Sequence, residues 1–216
     1  MARTVLFSTA VAMVIIFAFA GGLLAEQAPA ATQSEGASTA SQQKPYDPPN
    51  TKVALIPFAN GAGGSVDQAD ACQGGTQRIR EAFASRGFQV LDDKAVAEAV
   101  KKAHVDFADP EDRKKEKFQE VGEALEADLV VSGLLLYFKT DRTRPFVRIE
   151  LKVYDTRDKV YRVRAVQAGT TKVRGLFANA QDFRRRALGN AIDEALKDFL
   201  KPYPVTKKQE QAASSG

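Results

Sequence analysis

Short apolar runs mark the first strands of this chain. Val53–Phe58 and Ala127–Gly133 each end next to residues that break regular structure, and three segments with helical spacing of their apolar residues lie between them. Apolar runs of this length, bounded by turn residues, are typical of buried strands. The alternation of such strands with helices predicts one compact α/β domain.

Capping residues and apolar stripes predict four helices. Acidic residues favour helix starts, because they accept hydrogen bonds from free N–H groups and face the positive end of the helix dipole. Gly87 favours the left-handed backbone that closes a helix. The predicted helices start near Asp67 or Asp70, at Asp92, at Asp109–Pro110 and near Ala180, and the first, second and last end at Arg86, near His104 and at Leu200.

The second half of the chain changes to a period of two. Between Phe146 and Tyr154 the odd positions are apolar and alternate with charged residues, which predicts a half-buried strand. A turn over residues 155–158 joins it to a partner strand over 160–169, and the apolar run 127–138 is the predicted inner neighbour. With a short strand over 88–91, the predicted order is β-α-β-α-α-β-β-β-α, in a single α/β domain of three-layer type with a mixed sheet.

Four segments in this order resemble the successive signatures of a bacterial envelope superfamily. They are residues 53–60 (Val-Ala-Leu-Ile-Pro-Phe-Ala-Asn), 86–91 (Arg-Gly-Phe-Gln-Val-Leu), 127–133 (Ala-Asp-Leu-Val-Val-Ser-Gly) and 151–155 (Leu-Lys-Val-Tyr-Asp). The superfamily includes the amino-terminal domain of TolB, CsgG, LpoB and FlgT, and the resemblance covers about residues 51–200. It implies an exported binding or assembly module with no catalytic residue to transfer.

The two ends of the chain differ in composition from its middle. Residues 1–25 have a positive start followed by an apolar stretch, which predicts either a cleaved export signal or, over residues 5–25, a retained membrane anchor. Residues 26–50 are predicted to be a disordered Ala/Ser/Gln/Pro-rich spacer, and residues 205–216 a disordered tail. The domain is therefore expected over 51–204, in a protein that is periplasmic or secreted, or else anchored in the inner membrane.

Residues that commonly carry catalysis are sparse. Cys72 and His104 are the only cysteine and histidine, so neither a thiol–imidazole pair nor a histidine metal site is expected. Cys72 is predicted to lie in the core and His104 at a helix end. We therefore expect no enzyme activity, no cofactor and no metal.

The glycine-rich Gly61–Ser65 loop offers an alternative function. It follows a strand and precedes a helix, as phosphate-binding loops do, but it lacks the third glycine of the dinucleotide motif and the Gly-Lys-Ser/Thr of a phosphate loop. A small-ligand-binding protein or a hydrolase would place its site at this loop and the carboxylates near Asp92.

The charges are distributed unevenly along the domain. The chain has a formal net charge of +4, but residues 139–186 contain 14 Lys and Arg against 5 Asp and Glu, whereas residues 52–138 contain 11 against 15. Even positions of the paired strands share one face, so the cations there predict a basic stripe. Three arginines at the start of the last helix add positive charge where the helix dipole does not favour it. The candidate partner-binding residues are Arg148, Lys152, Arg162, Arg164, Arg184, Arg185 and Arg186.

This basic stripe has two interpretations. It is either a solvated sheet face or a docking surface for an acidic partner, namely envelope proteins, an anionic envelope polymer or lipid head groups. Nucleic acid is not expected, because the export signal removes the usual targets and no aromatic residues interleave the outward charges. The functional interpretation is an exported, non-catalytic envelope module that binds or assembles a periplasmic or outer-membrane complex.

Overall fold

The described part of the chain contains five strands and four helices. The computed structural model describes residues 46–61, 66–139, 146–171 and 180–206, all within a unit that spans residues 44–216. The strands are β1 (Lys52–Asn60), β2 (Gln89–Val90), β3 (Leu129–Lys139), β4 (Phe146–Asp155) and β5 (Val160–Thr170). The helices are α1 (Val66–Ala84), α2 (Asp93–Lys102), α3 (Lys115–Ala124) and α4 (Ala180–Leu200), and 3-10 turns occupy Pro48–Asn50 and Glu111–Arg113.

The strands form one mixed sheet in the order β2-β1-β3-β4-β5. β1 runs parallel to both β2 and β3, since a connection that contains a helix returns the chain in the same direction. β3, β4 and β5 follow one another as antiparallel neighbours. The predicted fold class and element order are therefore confirmed.

Each side of the sheet has its own core, which gives three layers. On one side α1 and α4 pack over the sheet, where Leu55, Val131 and Ile149 are at most 1% exposed. On the other side α2 and α3 pack over Ala54, Val130 and other apolar residues. The two sets alternate along β1 and β3, as the period of two requires.

The region between α2 and α3 differs from the prediction. Asp92 caps α2 as expected, because its carboxylate accepts from the N–H groups of Lys94 and Ala95. The acidic segment from Asp109, however, forms a 3-10 turn, and α3 begins only at Lys115. The extended backbone of Lys114 separates the 3-10 turn from α3. The side chain of the preceding residue, Arg113, is buried.

A glycine permits the close crossing of α4 over β5. A Cβ added at Gly169 would overlap the backbone carbonyl oxygen of Ala187 in α4, so only glycine fits between strand and helix at this position. At the end of β5, the carbonyl oxygen of Thr170 accepts a hydrogen bond at 3.2 Å from the side chain of Asn190 in α4. These contacts fix α4 on the side of the sheet that carries α1.

Residues on both sides of the predicted domain, 51–204, also contact it. Tyr46, which the sequence places in the spacer, packs its ring against Phe199 and Tyr203 and accepts a hydrogen bond from Arg162 at 2.8 Å. At the other end, the N–H of Thr206 donates to the carbonyl oxygen of Ser85 at 2.8 Å. The predictions for residues 1–25, 26–45, 62–65 and 207–216 lie outside the described residues.

Candidate docking surface on the sheet

Side chains from β3, β4 and β5 form rows across the side of the sheet that faces α3. Antiparallel pairing sets one residue of each strand side by side, and alternate pairs share a face. The five rows on this face, in order along the strands, are Val130–Tyr154–Tyr161, Ser132–Lys152–Arg164, Leu134–Glu150–Val166, Tyr137–Arg148–Ala168 and Lys139–Phe146–Thr170.

Helix α3 covers only one end of this face, at the first row. The ring of Phe118 in α3 contacts Tyr154 and Tyr161, with centroids 5.9 and 5.6 Å apart, so the first row is closed off. The last two rows have no helix above them among the described residues, and all six of their side chains are exposed. The face is therefore buried at one end and open at the other.

Large apolar side chains lie at this open end. Tyr137 is 48% exposed, Phe146 37% and Val166 49%. The rings of Tyr137 and Phe146 pack edge to face, with their centroids 5.9 Å apart. We define the open face as Tyr137, Lys139, Phe146, Arg148, Arg164 and Val166.

Two of the predicted stripe residues, Arg148 and Arg164, belong to the open face. Both are exposed, and they lie on neighbouring strands two rows apart, as Arg164 pairs with Lys152 and Arg148 with Ala168. The sequence assigned these two arginines to the correct face. It missed Tyr137 and Phe146, although Phe146 has the same parity as Arg148 in the alternating strand.

Lys152 is on the same face but is buried, which corrects the prediction that it is outward and exposed. Its Nζ lies 3.2 Å from Oε1 of Glu150 and donates to the carbonyl oxygen of Arg113 at 3.1 Å. The ring of Tyr161 lies beneath it at 5.9 Å. Burial lowers the pKa of Lys152 below its ordinary value, in spite of the attraction of Glu150.

Next to Lys152 lies Arg113, a second buried cation, which the sequence pattern did not distinguish. The 3-10 turn before α3 places the guanidinium of Arg113 against this face of the sheet, where only 2% of the side chain is exposed. Its Nε donates to Glu150 at 3.0 Å, and Nη1 donates to Ser132 at 2.9 Å and to the carbonyl oxygen of Phe107 at 3.1 Å. Glu150 therefore pairs with two buried cations, Arg113 and Lys152. No local sequence signal distinguishes Arg113 from an exposed arginine.

Arg162 lies on the opposite side of the sheet, which also corrects the predicted stripe. The register of β4 and β5 shifts after Val153, and one extra residue in β5 forms a bulge there. The bulge turns Arg162 toward Asp155, which its Nη2 contacts at 2.7 Å, and toward Tyr46. Burial raises the pKa of Asp155, but the hydrogen bonds from Tyr46, the Asp158 backbone and Arg162 together hold it below its ordinary value.

The three arginines of α4 form a separate group. The guanidinium of Arg184 lies 5.8 Å from the ring of Phe138, on the side of the sheet that carries α1 and α4. Arg185 and Arg186 are exposed and border a cleft of about 1260 Å³ between α1, α4 and the start of α2. The seven candidate residues therefore do not make one surface.

The alternative function, a hydrolase or a small-ligand-binding protein, would use the carboxylates near Asp92, which lie at or next to this cleft. Asp92 caps α2, and Asp93 at the cleft wall pairs with Arg80. Cys72 also borders the cleft, but burial raises its pKa to about 11, which keeps the thiol neutral at physiological pH. Of the glycine-rich loop, only Gly61 lies within the described residues.

The described residues contain neither a candidate metal cluster nor a helix suited to span a membrane. In residues 46–61, 66–139, 146–171 and 180–206, no group of three or more His, Cys, Asp or Glu side chains is placed to hold a metal ion. Within the same ranges, no helix is both long and apolar enough to cross a membrane.

The chain is similar in structure to several solved proteins. No family model matches it, and no curated protein matches it. It is similar to lipoprotein GNA1162 from Neisseria meningitidis, with 12% identity, a TM-score of 0.48 and coverage of 70% of this chain and 99% of that one. It is also similar to the PelC dodecamer from Paraburkholderia phytofirmans, with 12% identity and a TM-score of 0.43. That match covers 69% of this chain and 92% of PelC. A third similar structure is the LpoB C-terminal domain from Escherichia coli, with 15% identity and a TM-score of 0.38. That match covers 57% of this chain and 83% of the LpoB domain.

These likenesses are weak. All three TM-scores are below 0.5 and all three identities below 25%, so what those proteins do is not transferred to this chain. LpoB is also one of the proteins to which the sequence signatures point. The resemblance to TolB, CsgG and FlgT stays a prediction.

Proposed function

We propose that this protein is a non-catalytic binding module of the bacterial envelope and that its open face docks on another envelope protein. The single observation that carries the proposal is the pair of rings, Tyr137 and Phe146, exposed beside Arg148 on a part of the sheet that α3 leaves uncovered. Aromatic residues and arginine are the types enriched at protein interfaces.

The composition of the open face favours a protein partner over an anionic polymer. An exposed cluster of large apolar side chains rimmed by charge is typical of protein–protein contacts. Phe146 and Val166 offer apolar contact area to such a partner, which a polymer recognised by charge alone does not use. The envelope location rests on the predicted export signal and on the sequence signatures.

Site-specific photocrosslinking in living cells of the source organism tests the proposal. A photoreactive phenylalanine analogue is placed at Phe146 or Tyr137 of the full chain, and the crosslinked products are identified by mass spectrometry. The matched control carries the analogue at Gln73, which is exposed on α1 and borders the cleft on the other side of the sheet. We expect one envelope protein to crosslink from both open-face positions and not from Gln73.

Other outcomes overturn the proposal in distinct ways. Crosslinks from Gln73 alone would move the binding surface to the cleft. If neither open-face position crosslinks a protein, while the purified chain sediments with anionic phospholipid vesicles or an anionic envelope polymer, the partner is not a protein.

A further inference from the structure

The open face has a positive charge that its own side chains do not neutralise. Lys139, Arg148 and Arg164 are exposed there, and the nearest carboxylate in these rows is Glu150. Glu150 already pairs with two buried cations, Arg113 and Lys152, at 3.0 and 3.2 Å. It therefore leaves none of its charge for the exposed arginines, and an acidic partner fits this surface.

The two arginines also define a spacing. Arg164 lies in the row of Lys152, and Lys152 is four residues from Arg148 along β4. Four residues of a strand span about 14 Å. Two carboxylates that pair with these arginines are therefore about 14 Å apart in the direction of the strands.

The row between the two arginines, Leu134–Glu150–Val166, contains no cation and exposes an apolar side chain. Val166 lies in that row and is 49% exposed, next to Glu150. An apolar side chain above Val166 buries its surface, whereas a third carboxylate there would lose contact with water without a cation in the same row to pair with. The complementary pattern is acid, apolar, acid.

We infer that the partner contacts the open face through an extended segment with the pattern acid-x-apolar-x-acid. In an extended chain, residues i, i+2 and i+4 point to one side and i and i+4 are about 14 Å apart, which matches the spacing of Arg148 and Arg164. In a helix the same residues are only about 6 Å apart along the axis. The pattern reads the same in both chain directions, so it requires no choice of strand polarity. This inference rests on the proposed function.

Fluorescence anisotropy with two synthetic peptides tests the inference. The first peptide, Gly-Ser-Glu-Thr-Leu-Thr-Glu-Ser-Gly, has the inferred pattern, and the second, Gly-Ser-Glu-Glu-Thr-Leu-Thr-Ser-Gly, has the same composition with adjacent acids. Each labelled peptide is titrated with the full chain at low salt. We expect the spaced peptide to bind about fivefold more tightly than the peptide with adjacent acids.

Variants of the full chain show whether the arginines are responsible. Arg148→Gln and Arg164→Gln are each expected to remove most of that preference. Arg185→Gln is the matched control, because Arg185 is an exposed arginine of α4 on the other side of the sheet, and it is expected to leave the preference unchanged. Equal affinity for both peptides, no binding of either, or an equal effect of Arg185→Gln would overturn the inference.

The crosslinking experiment separates this failure from a failure of the proposed function. If Phe146 crosslinks an envelope protein while the spaced peptide has no advantage, the open face is a docking surface of another specificity. If no protein is crosslinked from the open face, the proposed function itself is wrong, whichever peptide binds.

Discussion

Tyr46 ties the start of the domain to a buried carboxylate, and Tyr46→Phe isolates that hydrogen bond. The hydroxyl donates to Oδ2 of Asp155, a residue that is 1% exposed, and accepts from Nε of Arg162 at 2.8 Å. The ring packs against Phe199 and Tyr203, with centroid separations of 5.9 and 6.4 Å. The substitution keeps these ring contacts and removes only the hydroxyl.

The expected loss of stability is about 1.5 kcal/mol. A hydrogen bond to a charged group contributes about 1.5–3 kcal/mol. Asp155 keeps its contacts with Arg162 at 2.7 and 3.0 Å, and with the N–H groups of Arg157 and Asp158 at 2.9 and 3.0 Å. The carboxylate therefore remains paired, which favours the lower end of the range. For a domain of this size such a loss lowers the midpoint of thermal unfolding by about 3–6 °C.

The loss is also expected to depend on pH. Burial raises the pKa of Asp155, but the hydrogen bonds from Tyr46, the Asp158 backbone and Arg162 outweigh it and hold the pKa below its ordinary value. A carboxyl with a lowered folded-state pKa stabilises the fold above its unfolded-state pKa, and this contribution is lost as the pH falls through the folded-state pKa. The effect of Tyr46→Phe is therefore expected in full at pH 7 and is expected to shrink below about pH 4.

Urea unfolding of the full chain at pH 7 and pH 3, followed by far-ultraviolet circular dichroism, measures both effects. Tyr137→Phe is the matched control, since Tyr137 is 48% exposed on the open face, and a change within about 0.5 kcal/mol is expected. A loss below about 0.5 kcal/mol for Tyr46→Phe at pH 7 would refute the hydrogen bond between the hydroxyl of residue 46 and Asp155. The same conclusion follows if the two variants lose equal stability.

Further substitutions test the packing on the two sides of the sheet. Glu150→Gln is expected to cost about 3 kcal/mol in urea unfolding, because it leaves the buried cations Arg113 and Lys152 without a carboxylate; a loss below about 1 kcal/mol contradicts this arrangement. Gly169→Ala is expected to cost at least about 3 kcal/mol, since its Cβ overlaps the backbone of α4. Gly74→Ala, in α1 with no atom outside the helix's own backbone within 4 Å of the added Cβ, is expected to stabilise the protein by up to about 1 kcal/mol. Similar effects of the two glycine substitutions would contradict the close crossing of β5 and α4.

The order of strands and helices was accessible from the sequence because periodicity reports burial directly. The period of two along β4 places Ile149 and Leu151 in the core, and both are fully buried. The cap at Asp92 was also predictable, since it depends only on the next three residues. Local chemistry of this kind does not depend on distant parts of the chain.

The composition of the open face depends on features that no local pattern reports. Arg162 has the parity of an outward residue, but one extra residue in β5 reverses its side. Lys152 has the same parity as Arg148, yet it is buried, and its Nζ donates to the backbone of a turn 39 residues away in sequence. How far α3 reaches along the strands decides which rows are exposed, and this is a property of tertiary packing.

The most direct test of the open face is the affinity of the captured partner for the full chain with Tyr137→Ser and Phe146→Ser. Isothermal titration calorimetry with the purified partner gives this affinity, and Val205→Ser, at a residue that is 59% exposed outside the open face, is the control. If the rings anchor the interface, the double variant binds about 30-fold more weakly or worse, and the control is unchanged. Affinities that agree within about twofold for the wild type and the double variant would contradict the assignment of the docking surface.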